Sequence, residues 1–352
     1  MTVLDTLIEI INIPSVTGNE DELCSWVEKR FASGARTVNR IGDSVVVGDP
    51  SRTEPFYALY GHLDTVPVQG DWRAKVDGDR IVGLGVSDMK AGVAVMIELL
   101  EDPALTDANI VGVFYDKEEG PAADNGLEAV LDGCPWLIDA TLSVVMEPTD
   151  LNVEFGCNGV VNADVIFTGS SAHSARPWLG ENAVTKGGAW LAELHDREHA
   201  VVEISGLRFT EVFSVTQAHG GFANNIIPPT FSINLNYRFP PKYSIDEAEA
   251  RLRDVAAAAD EIVIKDRAPA GRIDLDEPEV QRFDALVGRD RVAKQGWTDV
   301  ARLTSRGAVA VNYGPGEVAQ AHQVGESMQI ENLDIAYGVM RTFLSGDVLQ
   351  TD

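Results

Sequence analysis

The sequence predicts an α/β protein, a mixed sheet flanked by helices, interrupted by an inserted ferredoxin-like α+β domain. Two observations point there. Short apolar runs with strand character ("SVVVGD", "FYALYGH", "NIVGVFYD" and "LSVVMEP") recur through the first part of the chain, with one apolar helix, "MKAGVAVMIELLED", between the second and third. From about Asn158 the texture changes to alternating strands and amphipathic helices in the order β-α-β-β-α-β, that of a ferredoxin-like unit.

Taken in order, residues 2–12 carry apolar positions at helical spacing (Val3, Leu4, Leu7, Ile8, Ile11), and a second helix is expected from about Asp21 to Phe31, with Thr17 or Asn19 as its cap. Phe56, Ala58, Leu59 and Tyr60 read as a buried strand between Pro55 and Gly61. The side-chain period of a strand is two, so His62 and Asp64 point the same way at its exit, where open α/β sheets place their chemistry. In the second region "GVVNADVIFTG", "RFTEVFSVTQAHGG", "TFSINLNYRFP" and "EIVIKD" are strands, and "ENAVTKGGAWLAELHDRE" and "SIDEAEARLRDVAAAAD" are helices. The segment "RAPAGRIDLDEPEV" returns to the first domain. The expected organisation is 1–157 for the first part of one domain, 158–268 for the insert and 269–352 for the second part.

Composition narrows the function. Lys and Arg number 28 against 55 Asp and Glu, a formal charge of −27, which argues against nucleic acid or an anionic membrane as a partner. No window approaches the roughly 18 apolar residues of a membrane span. The start "MTVLDTLIEIINIPS" carries Asp5 and Glu9 where a secretory signal would carry Lys or Arg, so a cytoplasmic location is expected. Cys24, Cys134 and Cys157 form no CxxC pair, so any metal here must be held by histidine and carboxylate.

Such groups stand at strand ends or in the loops after them: His62, Asp88 in "GLGVSDMKAG", Glu118 and Glu119 in "FYDKEEG", Glu147 in "VVMEPTD" and His322 in "YGPGEVAQAHQVGE". Each alone has a bland reading: Asp88 as a helix cap, Glu118–Glu119 as a solvated turn, Glu147 as a surface acid, His322 as a loop residue. Their joint placement after strands of one sheet is harder to explain that way. Gly83 and Gly85 give a GxG, but Asp88 stands where a dinucleotide loop needs its third glycine. His195 and His199 in "HDREH" lack the glutamate of HExxH and read as a solvated helix end; His219 reads as structural or as a support behind a ligand.

In order along nearly the whole chain, "GHLDTVP", "SDMKAG", "DKEEG", "MEPT", "AHSARP", "NNIIP" and "AHQVGE" resemble the dinuclear-zinc metallopeptidase and deacylase family. That family includes aminoacylase, glutamate carboxypeptidase, acetylornithine deacetylase and succinyl-diaminopimelate desuccinylase. Within it, "GGFANNIIPP", "GWTDVARL" and "VNYGPGE" most resemble the actinobacterial type of succinyl-diaminopimelate desuccinylase. The resemblance implies a zinc-exopeptidase-like fold whose insert makes a homodimer, and two zinc ions per subunit, with cobalt a possible substitute. His62 and Glu147 would hold one ion, Glu119 and His322 the other, and Asp88 would bridge them; Asp64 would orient His62. Glu118 would be the general base, and His173, from the partner subunit, would polarise the substrate carbonyl.

The implied substrate is a small N-acyl diacid, gripped by Arg176, Arg238, Asn224, Asn225 and Thr298. Local positive charge must overcome the negative field of the whole chain to admit it. The implied reaction is hydrolysis of N-succinyl-LL-2,6-diaminopimelate, with acetylornithine deacetylase or carboxypeptidase activity as enzyme alternatives and a non-catalytic binding relative as the rival class. "GWTDVAR" is one residue longer between Asp299 and Arg302 than the usual pattern, and Lys117 stands where relatives often have an acid. The resemblance also implies a cis peptide between Asp88 and Met89.

Overall fold

The computed structural model describes residues 1–49 and 54–346, so the last six residues of the expected 269–352 segment lie outside the described residues. The chain divides into two compact units. The first is Met1–Gly156 with Arg272–Val292 and the chain from Thr298 onward; the second is Cys157–Gly271 with Ala293–Trp297. The short Ala293–Trp297 excursion is a difference from the sequence expectation, which left it with the returning segment. Gln295 explains it: its side chain accepts from the Thr210 amide at 3.0 Å and donates to the Arg208 carbonyl at 2.9 Å.

The first unit is built on a mixed sheet of eight strands, ordered Val38–Ile41, Ser44–Val47, Ile110–Tyr115, Tyr57–His62, Leu142–Val145, Ala310–Asn312, Glu154–Phe155 and Val292–Ala293. The four central strands run parallel, with antiparallel strands flanking them. Parallel strands covered on both faces read as continuous apolar runs, and Ile110–Tyr115 is buried along its whole length. Helix Ala91–Glu101 is buried on almost every side, packing on Val3–Ile11, Glu331–Ser345 and the central strands. It approaches so closely that a Cβ on Gly92 would collide with the Met146 carbonyl. Gly92→Ala is expected to lose about 2 kcal/mol, read as a lower urea midpoint at unchanged slope.

Helix Val3–Ile11 starts on a capping box between Thr2 and Asp5. Helix Asp21–Phe31 starts on Glu20 with no side-chain cap, so neither Thr17 nor Asn19 caps it. A three-stranded ribbon, Lys75–Asp77, Arg80–Val82 and Ser327–Gln329, completes this unit. No described helix is long and apolar enough to cross a membrane.

The second unit is a five-stranded antiparallel sheet, ordered Ala200–Ile204, Leu207–Gly220, Thr230–Phe239, Gly159–Thr168 and Glu261–Ala268, with helices Ala183–His195 and Ile245–Val255. Leaving out the added edge strand Ala200–Ile204, the β-α-β-β-α-β order is that of a ferredoxin-like unit. Its core gathers Phe167, Trp190, Phe231, Tyr237 and Phe239 between sheet and helices.

Candidate active site

The parallel strands place four metal-type side chains at or just beyond their carboxyl ends. His62 is the last residue of Tyr57–His62, Glu118 and Glu119 follow Ile110–Tyr115, and Glu147 follows Leu142–Val145. Asp88 lies in the tight turn Val86–Lys90 before the buried helix, and the peptide after it is cis as expected. His322 follows the short turn Val318–Gln320 with φ at +62°, a left-handed conformation that costs a non-glycine residue about 1 kcal/mol.

The Asp88 carboxylate stands between the two histidines. One oxygen is 3.2 Å from His62 Nε2 and the other 3.5 Å from His322 Nε2. Each histidine also has its own glutamate: Glu147 lies 4.0 Å from His62 Nε2, and Glu119 lies 2.9 Å from His322 Nε2. His62, Asp88 and Glu119 each bring a ligand atom within 4.8 Å of the others. Among the described residues, no Lys or Arg forms an ion pair with Asp88, Glu118 or Glu119. Three neighbouring acids whose ion pairs among the described residues are with histidine alone fit divalent metal ions.

Behind these groups, His62 Nδ1 lies 3.0 Å from the Asp64 carbonyl and 3.4 Å from its carboxylate. The orienting acceptor expected of Asp64 is thus chiefly its backbone. Its buried carboxylate has a second task that the sequence did not disclose: it accepts the amides of Glu118 and Glu119, each at 3.0 Å, and the Thr17 hydroxyl at 2.9 Å. Both members of the acidic pair are therefore held by one fixed anion. Thr17, expected as a helix cap, supports Asp64 instead.

The electrostatics follow from this crowding. Burial works against the His62 imidazolium, but the Asp64 and Asp88 carboxylates hold its pKa well above the ordinary histidine value. Asp88 and Glu119 raise His322 to about 10. Burial pushes the Glu118 carboxyl well up, with nearby Glu147 and Glu119 adding to the shift and His62 opposing it. Glu326 is raised by burial to about 7 despite three backbone donors, and burial lowers Lys90 to about 7, where its Nζ donates to the Ile10 and Ile13 carbonyls. Lys117 turns to Asp116 at 3.0 Å.

The substrate-binding expectations fare unevenly. His173, Arg176, Asn224 and Asn225 come together in the second unit, where His173 bridges to Ile226 and the Ser174 amide donates to the Asn225 carbonyl at 2.9 Å. All four are exposed at the sheet end where Thr168 pairs with Thr230. Arg238 is not with them. It pairs with Val160, eight positions along the same ladder, or about 26 Å of strand, so Arg176 and Arg238 of one chain cannot grip one small diacid together. Thr298 is buried, and its hydroxyl donates to Asn312 at 2.8 Å. Arg302 is buried in pairs with Asp299 and Glu128 and donates to the Ala122 carbonyl, anchoring the loop that follows Glu118–Glu119. Helix Ala183–His195 ends at His195, so His195 and His199 share no helical face.

Residues 58–346 match the model of peptidase family M20/M25/M40. The chain is 36% identical over 341 residues to a provisionally named succinyl-diaminopimelate desuccinylase of Mycobacterium tuberculosis, covering 96% of each protein. Among solved structures, a Staphylococcus aureus tripeptidase superposes with a TM-score of 0.80 at 20% identity, covering 97% of both chains. A Bacillus subtilis dinuclear metal binding peptidase from the M20 family superposes at 0.70 and 15% identity, covering 97% of this chain and 96% of its own. These likenesses extend over the whole mixed-sheet fold and its insert, and the chain belongs to peptidase family M20/M25/M40.

Proposed function

We propose that the chain is a metal-dependent amidohydrolase that converts N-succinyl-LL-2,6-diaminopimelate and water to succinate and LL-2,6-diaminopimelate, in diaminopimelate and lysine biosynthesis. The observation that carries the reading is the Asp88 carboxylate, which offers one oxygen toward each histidine, each histidine having its own glutamate. His62 and Glu147 would hold one zinc ion, His322 and Glu119 the other, and Asp88 both; cobalt would serve as a substitute. Bound there, the ions would acidify a water and polarise the acyl oxygen. Glu118, adjacent in sequence to the ligand Glu119, takes the proton from the attacking water and returns it to the leaving amine. Asp64 keeps Glu118 and Glu119 in register through their amides.

The substrate reading rests on the 36% identity to the mycobacterial protein over 96% of both chains. Arg176, Asn224 and Asn225 form a polar cluster suited to a carboxylate. With Arg238 about 26 Å away along the ladder, two grips on one diacid would come from two chains. That supports a homodimer through the inserted unit, in which His173 of the partner subunit reaches the substrate carbonyl. A biosynthetic role would put the enzyme in the cytoplasm. The test is amine release from N-succinyl-diaminopimelate and from N-acetylornithine, side by side, by zinc-loaded protein. Turnover of the succinyl substrate is the expected result. Turnover of the acetyl substrate alone would move the assignment to a deacetylase.

A further inference from the structure

Glu326 lies outside the candidate ligand set, yet it is one of the few carboxylates buried almost completely, at 2% exposure. Its oxygens are spent on a single turn. One accepts the amides of Ser87 at 2.7 Å and Asp88 at 2.9 Å, and the other accepts the amide of Gly85 at 2.7 Å. Its own carbonyl accepts the Gly83 amide at 3.0 Å. The neighbouring Ser327–Gln329 strand pairs with Arg80–Val82, and the Ser87 hydroxyl donates to the Ser327 carbonyl at 3.2 Å. The whole approach to Asp88 is thus fastened to one short segment, four residues beyond His322.

We propose that Glu326 is a positioning residue that sets the bridging carboxylate and His322 in mutual register for metal binding. The proposal rests on the reading of Asp88 as the shared ligand. Only a carboxylate meets this demand. Three convergent amides need two acceptor atoms, and a glutamine supplies one oxygen and one NH2 group, so at least one amide faces a donor in either orientation of the side chain. The turn must then move, and Asp88 moves with it. Gly85, at φ +76°, gives the turn a left-handed residue that most side chains would strain.

The test is metal titration of the full chain after chelator treatment, with cobalt(II) followed by calorimetry and by its visible absorption. Glu326→Gln is expected to weaken binding 10- to 100-fold and to alter the cobalt spectrum. Glu326→Asp, which keeps the charge but withdraws it by one methylene, is expected to fall between that variant and the parent and guards against a glutamine variant that does not fold. Circular dichroism of the metal-free proteins checks the fold. If Glu326→Gln and Glu326→Asp lose only thermal stability and bind cobalt as the parent does, Glu326 is structural and the proposal is overturned. Asp88→Asn is the companion variant: its retention of tight two-metal binding would overturn the shared-ligand reading itself, a result separable from either behaviour at Glu326.

Discussion

Glu118→Gln is expected to lower kcat roughly a thousandfold while leaving bound metal unchanged. The substitution preserves volume and the backbone amide that donates to Asp64, so the Asp64 anchor and Glu119 stay in place. What disappears is a basic oxygen. Burial and the adjacent acids push the Glu118 carboxyl up in the bare protein, and positive charge bound among Asp88, Glu119 and Glu147 would pull it back toward the carboxylate form a base requires. Elemental analysis of the purified variant separates the alternatives. A metal content reduced by half would make Glu118 a ligand, and a kcat within tenfold of the parent would remove it from proton transfer.

Strands Ser44–Val47, Tyr57–His62, Ile110–Tyr115 and Leu142–Val145 were legible because they are buried almost throughout and read as unbroken apolar runs, and His62 was legible as the residue at such a run's exit. Helix Asp21–Phe31 was legible from Leu23, Cys24, Val27 and Phe31 on one buried face. What stayed hidden depends on partners far along the chain. The exposed strand Lys75–Asp77 has no apolar pattern, and its ribbon is completed by Ser327–Gln329. Thr17 meets Asp64 across 47 positions, and Glu326 meets Asp88 across 238, distances over which no local rule reports. Glu326 does stand in the "AHQVGE" stretch beside His322, and a glutamate there, in a loop that folds inward, was the one available signal.

Asp64 and Glu326 stand in the same relation to the ligands. Each is a buried carboxylate that spends its oxygens on backbone amides flanking a residue of the acidic cluster, Asp64 on Glu118 and Glu119, Glu326 on Asp88. Loops at the ends of parallel strands are free of the ladder that fixes the strands themselves, so their precision has to come from such bonds. A donor held by a fixed anion cannot swing its side chain away without breaking a charge-assisted hydrogen bond, worth about 1.5–3 kcal/mol. Two clamps of this kind hold three acids together against their mutual repulsion.

That repulsion sets the last expected result, a steep dependence of metal affinity on pH. In the metal-free protein His322 titrates near 10 and His62 well above its ordinary value, because the surrounding carboxylates favour the imidazolium. Below those values each histidine carries a proton that a metal must displace, since only neutral imidazole offers a lone pair. Affinity at each site is therefore expected to rise about tenfold per pH unit through the neutral range, and to level off as pH passes the metal-free histidine pKa, near 10 for the His322 site. The sign for folding is opposite: a raised histidine pKa stabilises the metal-free fold below the unfolded value, and this contribution fades as pH climbs toward 10. Calorimetric zinc titration at neutral pH, in two buffers of different ionisation enthalpy, should report about one proton released per metal from the histidines. Release near zero would mean that both rings are already neutral in the metal-free protein, and that the acids do not bear on them as their distances imply.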